Sequence, residues 1–280
     1  MVSAGETMKL RYCLKALSLF ILFTKITIAQ AELDPIFYES TNVDLSKKLY
    51  DPDLSVEEWV DDLDSENLPL LCLGERHDDK FRQFYSDFFF SRYTFDVLFM
   101  EATQEEVDSL VSRSLGGEEY VSFLGANIAQ IIRTVASRNS EIEFIGVELT
   151  RGQKNEVQSS NKLKSREGFI AQNIFDNFSD LKKSVMLYGA NHCAYYDIGL
   201  GRKTPAIRHL NKVIPKEKMR SVRLVFHHPS QYFSASLHAL NLPEHAIVFK
   251  NSNLVPDEAF NYIWDFKKHL VNFDDVIYAR

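Results

Sequence analysis

The feature that most constrains this chain is a short apolar run, Pro69 to Leu73, that empties into Gly74-Glu75-Arg76-His77. The run is too short for a free-standing helix, so it reads as a buried strand ending in a site. Val185 to His192 repeats the pattern, with an apolar run followed by Gly189-Ala190-Asn191-His192. With 11 glycines and 8 histidines in 280 residues, a Gly-x-x-His spacing is expected less than once by chance, yet it occurs twice after strand-like runs. The fold must therefore explain two such strand ends.

Other segments supply further strand ends. Phe95 to Met100 reads as a buried strand with Glu101 where it stops, and Ile142 to Val147 as another ending at Glu148. Between them, Thr103 with Glu106 forms a capping box for a helix that stops at Gly116-Gly117, and a longer helix is expected from Tyr120 to Arg138. Phe81, Phe84, Tyr85 and Phe88 fall on one face of a helix after His77. That stripe reads as core packing, with a wall for a flat ligand such as haem as the alternative. Residues 150 to 164 are polar without periodicity and read as a loop long enough to act as a lid.

The following helix puts Arg166, Ile170 and Asn173 on one face, with a cation in the first turn, where it opposes the macrodipole. Arg166 is thus expected either to face a functional partner or to form a buried ion pair with a strand-end glutamate. Later strands are expected at Val222 to Phe226 and Ala246 to Phe249, flanking a loop with His227, His228 and Pro229. A helix at Glu258 to Leu270 follows, and Val276 to Tyr278 is placed at the edge of the sheet. Strands alternating with helices predict an α/β fold, with a mostly parallel central sheet and helices on both faces.

Residues 1 to 31 read as a secretory signal peptide. Lys9, Arg11 and Lys15 precede the apolar Ala16 to Phe23, and Ala29-Gln30-Ala31 suits a cleavage site. Residues 32 to 66 then form an N-terminal extension with one capped helix, and 67 to 280 a single α/β domain. The apolar stretch is too short to span a membrane, so an exported protein, periplasmic or secreted, is expected. Export would leave Cys72 and Cys193, each beside one Gly-x-x-His segment, either as small buried residues or as a disulfide. A net charge of −7 without a basic run argues against a nucleic acid partner.

In an open parallel sheet the ligand crevice lies outside the carboxyl ends of the strands. This chain sends Glu75, His77, Glu101, Glu148, Asn191 and His192 there. Two chemistries fit two imidazoles with several carboxylates. Glu75, His77 and His192 could ligate a divalent metal such as Zn²⁺, Mn²⁺ or Co²⁺ and so acidify a bound water. Alternatively His77 could act as a general base on water, with Arg166 or His192 stabilising an oxyanion and no cofactor needed. Either route hydrolyses an ester or peptide-type bond of a small-molecule or peptide substrate. No Gly-x-Ser-x-Gly elbow is present, which disfavours a covalent serine mechanism.

Gly74-Glu75-Arg76-His77, Glu101, Arg166-Glu167-x-x-x-Ala171-x-Asn173 and Gly189-Ala190-Asn191-His192, in that order, resemble the erythromycin esterase/ChaN-like group of the TIKI and TraB superfamily. The resemblance runs from Leu68 to Cys193. It implies an α/β core with paired Gly-x-x-His elements at one cleft, with hydrolysis in the esterase and metalloprotease branches and haem or iron handling in the ChaN branch. By motif, Glu75 and His77 become the water-activating pair or metal ligands, His192 the second functional histidine, and Arg166 and Glu101 supporting charges. In the haem reading Tyr195 and Tyr196 would contact the ligand. The chain departs from the pattern at Glu167, where the related motif commonly has Asp, and at Phe169-Ile170, where Met-Ala is typical. A secreted effector that keeps the fold without catalysis is the third expectation.

Overall fold

The computed structural model describes residues 55–118, 127–159, 165–195, 204–226, 245–250 and 273–279. The expected signal peptide, Tyr196, the His227-His228-Pro229 loop and the Glu258 to Leu270 helix lie outside them. Among the described residues, seven strands form one sheet in the order β3-β2-β4-β1-β5-β7-β6. They are β1 (Leu70–Glu75), β2 (Val97–Met100), β3 (Glu143–Gly146), β4 (Ser184–Gly189), β5 (Met219–Phe226), β6 (His245–Lys250) and β7 (Asp275–Ala279). All neighbours are parallel except β6, which pairs antiparallel with β7.

This is the expected α/β sheet with one correction at its edge. The strand Val276 to Tyr278, expected as an edge, lies inside between β5 and β6. Every residue of β7 is buried, as suits a strand covered on both faces, and the edge falls to β6. The sheet runs β4, β1, β5 through the middle, where β1 and β4 are buried end to end.

Alternation along the strands divides the core into two layers. One face carries Leu71, Leu73, Leu98, Met100, Val185, Leu187, Val222 and Leu224. It packs against α1 (Val56–Glu66), α2 (Asp79–Phe84), α3 (Gln104–Leu115) and α4 (Asn127–Arg138). The other face is covered by α6 (Arg166–Asp176), through Phe169, Ile170 and Ile174, and by α8 (Ala206–Leu210).

Helix α1 belongs to this core although it lies in the expected N-terminal extension. Ser55 and Glu58 form its capping box, and Trp59, Val60 and Leu63 are fully buried. The Trp59 indole N–H donates to the buried Asp275 at 3.1 Å, tying the helix to β7.

The aromatic stripe after His77 is core, but not on a single α-helical face. Helix α2 gives way at Tyr85–Phe90 to a π-helix, whose wider turn brings Phe89 and Phe90 inward and leaves Phe88 half-buried. Phe81 and Phe84 pack on Phe226, with ring centroids 4.9 and 6.1 Å apart.

The expected lid at 150 to 164 is in its described part a helix, α5 (Arg151–Gln158), with no buried residue. Thr150 and Gln153 close a capping box that starts the helix without any apolar stripe. Periodicity does not reveal it, because a solvated helix needs none.

Replacing Trp59 by alanine should destabilise the protein by about 3–5 kcal/mol through lost burial and the lost hydrogen bond to Asp275. Denaturant unfolding of the variant against the wild type measures this. A change below about 1 kcal/mol would mean α1 is not part of the cooperative core.

Candidate functional site

The two Gly-x-x-His segments meet because β1 and β4 are neighbours in matched register. Gly74 lies opposite Tyr188, and Glu75 opposite Gly189. Each glycine makes room for the other segment. A Cβ on Gly74 would stand 2.9 Å from the Ala190 Cα, and one on Gly189 would stand 3.0 Å from His77 Nε2 and 3.3 Å from His192 Cδ2. Both imidazoles therefore border the same empty Cβ position.

Glu75, the last residue of β1, is buried and held by Arg82 of α2. Arg82 donates from Nε to Oε2 at 2.9 Å and from Nη2 to Oε1 at 2.7 Å. His77 adopts a left-handed backbone (φ 53°), and its Nδ1 lies 3.0 Å from Glu75 Oε1. Its other nitrogen, Nε2, lies 3.2 Å from Glu101 Oε2. The ring is clamped between two carboxylates.

Glu101 follows β2 and is the shared centre. It accepts the Gly189 N–H at 2.9 Å, and Arg166 donates to its other oxygen at 3.3 Å. That oxygen is 3.7 Å from His192 Nε2.

His192 sits in the single turn α7 (Ala190–Cys193), which follows Gly189 directly. Its Nδ1 hydrogen-bonds Glu167 Oε2 at 2.6 Å. Nε2 faces Arg166 Nη1 at 3.4 Å. Of the four ring nitrogens of the two histidines, it is the one without a carboxylate hydrogen bond among the described residues. Arg166 and Glu167 open α6, capped by Ser165. Arg166 also pairs with Glu148 through both Nε and Nη2, so the ion-pair expectation for Arg166 holds. Asn173, two turns further along α6, donates to the Val147 carbonyl at 3.1 Å and fixes the end of β3.

These neighbours set the charges. The hydrogen bond to Glu101, then that to Glu75, pushes the His77 imidazole up to about 9 against the cost of burial. Burial pushes the Glu101 carboxyl up, but the His77 hydrogen bond and the Gly189 N–H outweigh it and hold Glu101 below its ordinary value. For Arg166, burial is opposed by Glu148, and the guanidinium is held above its ordinary value.

The structure thus brings together Glu75, His77, Glu101, Glu148, Arg166 and His192. An imidazole held at about 9 between two carboxylates keeps its proton at neutral pH, which does not suit the expected role of His77 as the base that activates water. Nor do Glu75, His77 and His192 form a metal-ligand set. Arg82 occupies both Glu75 oxygens, Arg166 lies at His192 Nε2, and no group of three or more His, Cys, Asp or Glu among the described residues is arranged to hold a metal ion.

Of the features expected to hold haem, Tyr196 lies outside the described residues. The aromatic stripe is core, and the buried Tyr195 donates its hydroxyl to Asp274 at 2.6 Å.

Two residues of the site escape the sequence patterns. Glu167 stands out there only as a departure from a motif, and Arg82 lies inside the aromatic helix. The signal for Arg82 is a cation set between Phe81 and Phe84 on the buried side of the helix, where its charge needs an acid.

Cys72 of β1 and Cys193 of α7 form a disulfide across 121 residues of chain. It covalently joins the strand bearing Glu75 to the turn bearing His192.

No family model matches the chain, and no curated protein matches it in sequence. Solved structures do match it in fold. One is a succinoglycan biosynthesis protein, with a TM-score of 0.60 and 13% identity over 86% of this chain and 97% of that one. Another is a Bacillus cereus protein, with a TM-score of 0.54 and 10% identity over 85% and 97%. At these identities the likeness shows the α/β fold alone. ChaN of Campylobacter jejuni, with cofacial haem, matches at a TM-score of 0.43 and 13% identity over 80% and 91%, too distantly to carry an argument about ligands.

The raised His77 value links the site to stability. The folded value lies above the ordinary 6.5, so this contribution is fully present below pH 6.5 and is lost as pH rises through about 9. NMR titration of the His77 ring should give a midpoint near 9 in the wild type. Glu101→Gln should lower that midpoint by roughly a unit or more. A wild-type midpoint below about 7 would remove the two-carboxylate clamp.

Proposed function

We propose that the chain is an exported member of the erythromycin esterase/ChaN-like group and a hydrolase of an ester or peptide-type bond. The observation that supports this most is the convergence on Glu101 of two imidazoles with opposite equipment. His77 holds a proton between two carboxylates, while His192 meets Glu167 at Nδ1 and leaves Nε2 outside any carboxylate hydrogen bond among the described residues.

In this reading His192 Nε2 takes a proton from water as the water oxygen bonds to the carbonyl carbon. Glu167 stabilises the imidazolium that forms. His77 protonates the leaving oxygen or nitrogen as its bond to that carbon breaks. Arg166 lies beside His192 Nε2, where negative charge grows on the carbonyl oxygen. One proton is taken up and one is given, and exchange with solvent restores both histidines once product leaves. The residues fit this chemistry better than the metal route, because guanidinium groups stand where a cation's carboxylate ligands would be needed.

The test is hydrolysis of a panel of activated esters and chromogenic peptides by the purified protein. His192→Ala should reduce kcat/KM by about 10²- to 10⁴-fold. Glu167→Gln should fall between that variant and the wild type. The rate should decline on the alkaline side near pH 9 as His77 loses its proton. Full activity in His192→Ala, or no turnover of any substrate class by the wild type, would end this reading.

A further inference from the structure

His192 sits on a turn that cannot hold its own position. Helix α7 is four residues long, and Gly189 before it has no side chain with which to cap it. A helix so short has no stability of its own, so its place is set by what it is attached to. The attachments gather at Cys193, the residue next to His192. Cys193 is fully buried and is bonded through its sulfur to Cys72 of β1. Cys72 lies opposite Ser221 of the neighbouring β5, and the Ser221 hydroxyl donates to the Cys193 carbonyl. Two adjacent strands thus grip one residue of the turn, one by a covalent bond and the other by a hydrogen bond. Two residues further on, the Tyr195 hydroxyl donates to Asp274, which also accepts the Ser221 N–H at 2.8 Å.

The contacts of the His192 ring are of another kind. Its Nδ1 meets Glu167 at 2.6 Å, and its Nε2 faces Arg166 at 3.4 Å. Both partners belong to α6, a separate element, and hydrogen bonds of this kind weaken steeply once distance or angle is lost. They can be kept only if the turn is placed by something else. Cys72 is a fixed reference for that, because its strand is buried end to end.

We propose that the Cys72–Cys193 disulfide positions His192, so that the site is complete only in the oxidised chain. The bond can be made by a small disulfide such as oxidised glutathione. One cysteine thiolate attacks it and displaces a glutathione thiolate, and the second cysteine thiolate then attacks the mixed disulfide and displaces the other. The two cysteines lose two electrons, the glutathione disulfide gains them, and the two cysteine protons end on the two released thiols. Both cysteines are fully buried in the folded protein. The exchange therefore belongs to folding, and the bond is set once. This inference rests on the proposed hydrolase reading for its effect on rate, but not for its effect on the position of His192.

Two samples lacking the bond test it against the oxidised protein. One is the wild-type chain unfolded in dithiothreitol and refolded under reductant, and the other is Cys72→Ala/Cys193→Ala. In both, the NMR signals of the His192 ring should shift or split, and in a crystal structure its Nδ1 should stand farther from Glu167 than 2.6 Å. Well below the melting temperature, kcat/KM should fall about 10- to 100-fold. Unfolding the reduced wild type and refolding it with oxidised glutathione should restore ring signals and rate, and the same treatment should leave the double variant unchanged. A bond that only stabilised the fold would lower the melting temperature and leave ring signals and low-temperature rate as they are, which overturns the proposal. Failure of both samples to fold overturns it as well, since the bond would then be a folding requirement. Absence of turnover in the oxidised wild type would remove the hydrolase reading alone, and the ring signals and the Glu167 distance would still decide the positioning role.

Discussion

The carboxylate of Glu101 is the interaction on which the rest of the site depends. A largely buried anion must be met by hydrogen bonds and opposite charge, or it would take up a proton instead. Here its partners come from three places in the chain: the His77 ring after β1, the Gly189 N–H at the end of β4, and Arg166 at the start of α6. None of these could reach it without the parallel pairing of β2 with β4 and of β4 with β1. Sheet register is therefore a condition of the electrostatics. A slip of one residue in β4 would turn Tyr188 to the opposite face and carry the Gly189 N–H out of reach.

The repeated Gly-x-x-His pattern has its physical cause in the same contacts. Gly74 lets the backbone of Ala190 approach, and Gly189 lets the two imidazoles share the space a methyl group would fill. The two glycines are reciprocal: each is small for the sake of the other segment. The disulfide between Cys72 and Cys193 joins the same two segments. Holding α7 against β1 by a covalent bond limits how far His192 can move from Glu101, and closing so long a loop also restricts the unfolded chain.

The residues legible from the sequence alone are those at strand ends. His77, Glu101, Glu148 and His192 stand out because each interrupts an apolar run at the point where a parallel sheet opens its crevice, and all four converge in the fold. Arg166 is legible as a cation misplaced for its helix dipole, and its pairing with Glu148 accounts for it. Glu167 and Arg82 are not legible in this way. Their roles depend on which faces of α6 and α2 pack towards the sheet end, and a helix carries polar residues for many reasons. The π-helical turn after α2, the solvated helix α5 and the interior position of β7 are hidden for a related cause. Each is decided by packing or capping against the periodic pattern, or without one.

The two histidines show how one short motif acquires two chemical characters. Both follow a strand by way of glycine, and both contact Glu101 or lie near it. His77 adds a second carboxylate, itself pinned by Arg82, so both ring nitrogens face negative charge and the proton stays. His192 adds one carboxylate at Nδ1 and a guanidinium at Nε2, so one nitrogen is fixed as donor and the other faces a cation. Arg166 is the element that breaks the symmetry. It stands at His192 Nε2, and by pairing with Glu148 and Glu101 it remains neutralised enough to be buried in part. A site assembled from two copies of one motif thus gives its two imidazoles different neighbours through the second ring of residues, the part of the pattern that spacing alone does not record.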